Sequence, residues 1–254
     1  MPGDNFDAFI RAIALKRDKV PSFREYPFNI PVVRHLEELA LDPRVTFFVG
    51  ENGTGKSTLL EAVAVALGFN AEGGTMNFRF STRDTHAPLH EFLRLVRGVR
   101  RPKGGFFLRA ESLYNAATYL DTEVPGCLDS YGGVSLHQQS HGESFMAILT
   151  HRFGPNGLYI LDEPEAALSP LRQLALLSRL HELVTQNCQF IIATHSPIVM
   201  AYPHAAIYLL TQEGIHPTEY KETEHYRVAR DFLNRTDSML SELLKGQMDF
   251  PKES

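Results

Sequence analysis

The chain has 254 residues, 43% of them hydrophobic, and a formal net charge of −5. This length suits one α/β sheet with its helices, and the apolar share is sufficient for a core. The acidic balance argues against a dedicated nucleic-acid binder, which needs many clustered cations, but it leaves room for a local basic patch.

The two cysteines, Cys127 and Cys188, have no metal-ligand spacing and suggest no disulfide framework. The first residues carry acids early and do not resemble a secretory signal. No stretch approaches the roughly 20 apolar residues of a membrane span. We therefore expect a cytoplasmic protein.

The first half of the chain is only partly interpretable. Residues 1–28 form a mixed segment, and the apolar run Val45–Val49 predicts a strand that leads into a Gly-rich turn. Leu59–Leu67 has the crowded apolar pattern of a buried helix, which Gly68 ends. Within residues 69–135 we predict a helical segment near His90–Val99 and a strand over Gly105–Leu108.

The second half alternates strands with helices, which predicts a mainly parallel sheet covered on both faces. Ser169 and Pro170 have the residue types of an N-cap and first helical position. The predicted elements are a helix over Ser144–Arg152, a strand over Leu158–Leu161, a helix from Ser169 to about Thr185, a strand over Phe190–Ala193, a hairpin of Ile207–Leu210 and Ile215–Tyr220, and an amphipathic helix around Tyr226–Leu244.

The sequence G-E-N-G-T-G-K-S, from Gly50 to Ser57, matches the phosphate-loop pattern between a predicted strand and helix. Its glycines let backbone N–H groups point at phosphate oxygens, and the following helix directs its positive end there. A lysine would face the β- and γ-phosphates, and a serine hydroxyl would bind Mg²⁺. The predicted ATP contacts are Gly50, Glu51, Asn52, Gly53, Thr54, Gly55, Lys56, Ser57 and Thr58.

The apolar strand Leu158–Leu161 runs directly into Asp162 and Glu163. A carboxylate at the tip of a buried strand beside the phosphate loop suits Mg²⁺, so Asp162 and Ser57 are candidate metal ligands. Glu163 is the candidate that polarises the attacking water. We predict that Glu165 is a solvated turn residue.

A second candidate anion site is Ser140-His-Gly-Glu-Ser144, which precedes a predicted helix. On its own the pattern is short enough to be a helix-capping box and nothing more. Together with the phosphate loop it suggests that one ATP is held between two chains.

The order of these motifs, followed by a strand and His195, resembles the ABC ATPase superfamily. More narrowly it resembles the structural-maintenance-of-chromosomes and RecF-like branch, and within it small bacterial AAA-type ATPases without a long coiled coil. The resemblance covers about residues 28–210 and is carried by Gly50–Thr58, Gln139–Ser144, Leu158–Pro170 and Ile191–Pro197.

This resemblance implies a P-loop NTPase of α/β class, with a mainly parallel sheet flanked by helices, a helical signature subdomain and an antiparallel β portion. It implies one domain over 1–254, with the helical lobe at about 76–150 and a helical tail at 221–254. The cofactors would be ATP and Mg²⁺. Ser140, Gly142 and Glu143 would act on ATP bound to a partner copy, in an ATP-dependent homodimer.

The resemblance also implies that His195 senses the γ-phosphate and takes part in catalysis with Glu163 and Lys56. There are departures, with Gln139 and His141 where the family usually has leucine and glycine, and Ser169 where transporter subunits usually have Asp. Glu111 stands at the best position for the family's Gln-containing loop and is a candidate metal ligand.

Other groups have two readings. An aromatic residue that stacks on adenine is sought among Phe23, Tyr26 and Phe28, although each fits a core position better than a base contact. The tail helix is expected to pack on the domain, although it is also a candidate dimer or partner surface. A basic cluster is either a solvated surface or a nucleic-acid contact; it comprises Arg94, Arg97, Arg100, Arg101, Lys103 and Arg109.

The function expected is an ATPase switch acting on DNA or on an unknown protein. Three alternatives stay open. A transporter nucleotide-binding subunit is disfavoured by Thr194–Pro197 and by Ser169. An ATP-dependent clamp or sensor with negligible turnover is disfavoured by the intact Glu163. An AAA+ ring is disfavoured because the Ser-x-Gly-Glu segment precedes the Asp-Glu strand.

Overall fold

The computed structural model describes residues 7–75, 88–110 and 140–244. Nine strands in this part of the chain form two sheets. In chain order they are β1 (Ile10–Leu15), β2 (Glu38–Ala40), β3 (Val45–Val49), β4 (Leu93–Arg97), β5 (Gly104–Arg109), β6 (Gly157–Asp162), β7 (Gln189–Ala193), β8 (Ala206–Thr211) and β9 (Gly214–Thr218).

The larger sheet has the strand order β5-β6-β7-β3-β8-β9. Its neighbouring strands run parallel except for the terminal hairpin of β8 and β9, which is antiparallel, as the sequence predicts. The smaller sheet, in the order β2-β1-β4, is antiparallel. The fold is therefore of α/β class, with a mainly parallel sheet and an antiparallel portion, as predicted.

Six helices accompany the sheets. They are α1 (Pro31–Arg34), α2 (Lys56–Ala66), α3 (His141–His151), α4 (Pro170–Thr185), α5 (Glu224–Asn234) and α6 (Thr236–Leu243) among the described residues. Ser169 caps α4 by accepting a hydrogen bond from the Arg172 amide, and Pro170 is its first residue, as predicted. Gly68 follows α2 with a φ of +93°.

Two hydrophobic cores lie on opposite faces of the larger sheet, because successive side chains of a strand point to opposite faces. Phe47 of β3 belongs to the core that contains Leu180 of α4. The next residue, Phe48, belongs to the other core, with Leu59 of α2. Both phenylalanines are fully buried, which explains why β3 has no polar alternation.

The buried Gln189 joins the two sheets. Its Nε2 donates to the carbonyls of Ile10 and Asp42 at 2.8 and 2.9 Å, and its Oε1 accepts from the Ile10 amide at 3.0 Å. We expect Gln189→Leu to lower the free energy of unfolding by about 2–4 kcal/mol, because buried backbone groups lose their partners. Urea denaturation measures this. Gln189→Glu, which keeps only the acceptor, should also destabilise; an unchanged midpoint in both would contradict the linking role.

The prediction of a helix near His90–Val99 is wrong. Pro88–Phe92 is a short 3₁₀ turn, and Leu93–Arg97 is strand β4, paired antiparallel with β1. Leu93, Arg94 and Leu95 alternate apolar and basic residues, and Arg94 is exposed while Leu93 is buried, which suits an edge strand with one solvated face. Strand β1 itself lies inside the segment that the sequence left as mixed.

Residues 88–110 of the range predicted for the helical lobe thus supply strands to both sheets, and helix α3 is its described helical part. The tail prediction also needs correction, because two helices, α5 and α6, replace one continuous helix. Neither has a buried residue, and Leu233 and Leu243 are 76% and 68% exposed.

Candidate active site

Three neighbouring strands, β6, β7 and β3, run parallel and end at the same edge of the larger sheet. The phosphate loop follows β3, Glu163 follows β6, and His195 lies two residues beyond β7. The carboxyl ends of parallel strands are where α/β folds place their ligand sites. Segments 30 to more than 100 residues apart in sequence are thereby brought together.

The loop Gly50–Ser57 wraps tightly because its glycines have no side chains. A Cβ on Gly50 would lie 2.3 Å from the Leu210 carbonyl oxygen of β8. Gly55 has a φ of +98°, and a Cβ there would lie 2.6 Å from the Ile30 side chain. Helix α2 begins at the next residue, Lys56, so that its N-terminus faces the loop.

Lys56 is buried, and its Nζ donates to the carbonyls of Gly50 and Glu51, both at 2.9 Å. Burial lowers the pKa of this ammonium, while Glu163, Asp162 and Glu165 act in the opposite direction. Lys56 thus stands among three carboxylates, where a cation is electrostatically favoured. Thr54, also in the loop, donates from its hydroxyl to Glu51.

Ser57 Oγ donates to Asp162 Oδ1 at 3.0 Å, so the two predicted metal ligands are adjacent. Mg²⁺ prefers oxygen ligands and usually binds through one or two carboxylates together with substrate phosphates. A hydroxyl and a carboxylate in contact beside a phosphate loop fit this ion. The third predicted ligand, Glu111, lies outside the described residues.

Sequence analysis assigned Arg109, with the rest of the basic cluster, to a solvated surface or a nucleic-acid contact. For Arg109 this is wrong, because its guanidinium contacts two carboxylates. Its Nη1 lies 2.7 Å from Glu61 Oε2, and its Nε lies 3.4 Å from Asp162 Oδ2. As the last residue of β5, it is in register with Asp162 at the end of β6. The predicted strand over Gly105–Leu108 implies that the next residue, Arg109, lies at the carboxyl edge of the sheet. The sequence analysis did not use this signal. The other described members of the cluster are exposed.

Glu163 has a left-handed backbone, with φ of 50° and ψ of 54°, which is uncommon for a residue with a side chain. Its amide donates to the Ala193 carbonyl at the end of β7. The side chain is 35% exposed, and Oε1 lies 3.5 Å from His195 Nε2. The turn after β6 therefore presents the carboxylate toward the histidine and the loop.

The prediction that Glu165 is a solvated turn residue is wrong. Its carboxylate accepts two hydrogen bonds from the end of β7. Its Oε2 accepts from Thr194 Oγ1 at 2.7 Å, and its Oε1 accepts from the His195 amide at 2.5 Å. These two bonds fix the end of β7, from which the His195 ring projects. A helical turn of Pro164–Ala167 brings the carboxylate back to this position.

His225, on the first turn of α5, is a residue that the sequence analysis did not select. Its Nε2 lies 3.1 Å from His195 Nδ1. Burial lowers the pKa of both histidines, and the Lys56 ammonium lowers each further. Both shifts favour the neutral form of the rings. No motif marked His225, since its approach depends on how α5 folds back.

Ser140 and Glu143 do form a capping box at the start of α3. The Ser140 amide and hydroxyl donate to Glu143 Oε2, and the Glu143 amide donates to Ser140 Oγ. Arg172 of α4 bonds to both side chains. Gly142 is buried, and a Cβ there would lie 2.9 Å from the Ala167 carbonyl oxygen. The segment thus packs on the turn that follows Glu163.

The adenine-stacking candidates differ in exposure. Phe28 is buried and packs edge-on against Phe92 at 4.8 Å, and Phe23 lies under the Arg17 guanidinium. Tyr26 is 66% exposed. Tyr26 is thus the one of the three whose ring is available to a ligand.

Cys188 is buried and reduced, whereas Cys127 and Gln139 lie outside the described residues.

Three features define the class of protein: the mainly parallel sheet, the glycine loop with its buried lysine, and the strand that ends in Asp-Glu. The protein has the fold and the nucleotide site of a P-loop ATPase. Within the described ranges, no helix is both long and apolar enough to span a membrane.

Comparison with known proteins agrees with this class. Residues 22–94 match the family model described as "AAA domain", and residues 128–201 match "AAA domain, putative AbiEii toxin, Type IV TA system". An "Uncharacterized ABC transporter ATP-binding protein" of Haemophilus influenzae is 25% identical over 205 residues, which cover 72% of this chain and 75% of that protein.

Two solved structures are among those similar to the chain. A "putative metal-chelate type ABC transporter" in an inward-facing conformation aligns with a TM-score of 0.50 at 17% identity, covering 89% of this chain and 88% of that one. An SMC head domain from Thermotoga maritima aligns with a TM-score of 0.41 at 17% identity, covering 72% and 93%. At this identity the alignment with the transporter structure shows a shared fold.

Proposed function

We propose that the chain binds Mg–ATP at Gly50–Ser57 and Asp162, hydrolyses it with Glu163, and uses the ATP to join two copies head to tail. The observation that carries the proposal is the convergence of Lys56, Asp162 and Glu163 beside the glycine loop. Each residue type there matches a requirement of phosphoryl transfer, which depends mainly on positioning and charge stabilisation.

Each residue of the site has a separate role in ATP binding or hydrolysis. The loop amides and the N-terminus of α2 hold phosphate oxygens, and the Lys56 ammonium faces the β- and γ-phosphates. Glu163, held forward by its left-handed backbone, accepts the proton of the attacking water. His195 Nε2 donates a hydrogen bond at the γ-phosphate side. Ser57 and Asp162 would hold Mg²⁺, which would neutralise phosphate charge.

Dimerisation follows from two anion sites on one chain. The phosphate loop stands at the strand ends, and the second site is the Ser140–Ser144 cap at the N-terminus of α3. Two copies related by a two-fold axis place each cap over the other's γ-phosphate and make two identical composite sites. ATP then binds the dimer more tightly than either half, so it shifts the assembly equilibrium.

We expect Ser140→Arg to block ATP-dependent dimerisation while the monomer still binds ATP, because bulk and charge then enter the partner's phosphate site. The measurement is light scattering with ATP in a Glu163→Gln background. His151→Arg adds the same charge at the far end of α3 and should leave dimerisation intact.

Because Arg also removes the cap of α3, Ser140→Asp serves as a second variant. Asp is a good N-cap but brings a negative charge against the phosphate, so it should block the dimer; because it also loses the hydroxyl bond to Glu143, its melting temperature is recorded beside that of the wild type. Normal ATP-dependent dimers of both variants would mean that the segment is a helix cap alone.

The action of the cycle on DNA or on another protein is part of the proposal, and the exposed arginines and the tail helices are the surfaces available for it. A pull-down with Glu163→Gln in ATP should hold the closed state and any client. The cytoplasmic location stays a prediction.

A transporter subunit is the second candidate, favoured by the names of the Haemophilus relative and of the metal-chelate transporter. Co-purification with a membrane protein would support it. A turnover assay of the wild-type protein tests the remaining alternative, an ATP-dependent clamp or sensor with negligible turnover.

A further inference from the structure

His225 and His195 form a pair of partly buried rings in hydrogen-bond contact, and their surroundings favour one proton arrangement. Glu163 Oε1 faces the buried His195 Nε2 at 3.5 Å, and although the two atoms make no hydrogen bond, the negative carboxylate electrostatically favours a hydrogen on that nitrogen. A neutral ring has one N–H, so His195 Nδ1 is then an acceptor. His225 Nε2, at 3.1 Å, must be the donor to it.

The far side of His225 agrees with this arrangement. With its hydrogen on Nε2, His225 keeps a bare lone pair on Nδ1. That atom is buried and has no hydrogen-bond partner within the described part of the chain. The opposite tautomer would put the unpartnered hydrogen on His225 Nδ1 and would turn a lone pair of His195 toward the Glu163 carboxylate, which is electrostatically unfavourable.

The pair also fixes the orientation of His195. Its backbone amide is held by Glu165, and its ring is held at Nδ1 by His225. A groove of about 390 Å³ beside the two rings is lined by Glu51, Pro197 and the α5 residues Val228 and Phe232. Helix α5 thus borders the γ-phosphate side of the phosphate loop.

We propose that His225 is a positioning residue for ATP hydrolysis: it donates to His195 Nδ1 and so holds His195 in the Nε2–H tautomer, with that hydrogen aimed at Glu163 and the γ-phosphate side. This inference rests on the proposed function of the site. His225 touches none of the reacting atoms and acts only through His195, as partners behind a functional histidine do.

The test compares His225→Leu with His225→Gln. Leu removes the donor, and we expect kcat for ATP to fall on the order of tenfold, within the range for lost partners of a functional histidine, with KM within about twofold. Gln places an amide NH₂ near the Nε2 position and should restore at least half of kcat. Leu233→Ala, on the exposed side of α5, is the matched control and should behave as wild type.

A second readout does not need turnover. The ring ¹³C and ¹⁵N shifts of His195, assigned by comparison with His195→Gln, should report the Nε2–H tautomer in the wild type and in His225→Gln, and a tautomer mixture in His225→Leu. Unchanged kcat and tautomer in His225→Leu overturn the inference, as does a kcat loss that Gln does not restore. A wild-type protein without ATP turnover would instead refute the proposed function, and the ring shifts would still decide the His225 contact.

Discussion

Glu163→Gln is expected to lower ATP turnover by about 10²-fold or more while leaving nucleotide affinity within a few-fold. The amide is nearly isosteric with the carboxylate but cannot accept the proton of the attacking water, and loss of a general base has an effect of this size. Phosphate release under saturating ATP and calorimetric ATP binding provide the two measurements. The backbone bond from Glu163 to Ala193 does not depend on the side chain, so the turn should persist.

The control is Glu219→Gln, which makes the same change at an exposed position and should have wild-type turnover. If Glu163→Gln also turned over ATP at the wild-type rate, the base would be another residue. Glu165 would then be tested first, although its two hydrogen bonds to Thr194 and His195 already occupy its carboxylate.

Lys56→Ala is expected to weaken ATP binding at least about tenfold, which corresponds to about 1.4 kcal/mol. The substitution removes the cation that faces the β- and γ-phosphates and leaves the glycine loop and the N-terminus of α2 in place. Calorimetry with Mg–ATP measures the change. Since Lys56 is buried and donates to two loop carbonyls, the melting temperature must be recorded beside it.

Lys19→Ala, which removes an exposed lysine, serves as the matched control and should bind ATP normally. An unchanged affinity of Lys56→Ala with a folded protein would refute the assignment of Gly50–Ser57 as the nucleotide site. A loss of affinity together with a collapsed melting temperature would call for Lys56→Met, which retains the aliphatic stem without the charge.

The sequence by itself determined the features whose chemistry is local. The phosphate loop, the N-caps Ser140 and Ser169, and the terminal hairpin follow from residue types at fixed spacing. The buried strands of the parallel sheet were also predictable, because a strand covered on both faces reads as a continuous apolar run. These elements gave the class of protein and its principal candidate residues.

Only the tertiary structure decided which side chains meet across the chain. Arg109 looked like part of a surface cluster until the β5–β6 register put it beside Asp162. Glu165 looked solvated until its turn brought it to the end of β7. His225 reaches His195 because α5 folds back over that edge. Strand β4 is short and apolar on one side, so its pairing with β1 outweighed a local pattern that a helix fits as well. In each case the deciding contact is long-range, and a local pattern carries no information about it.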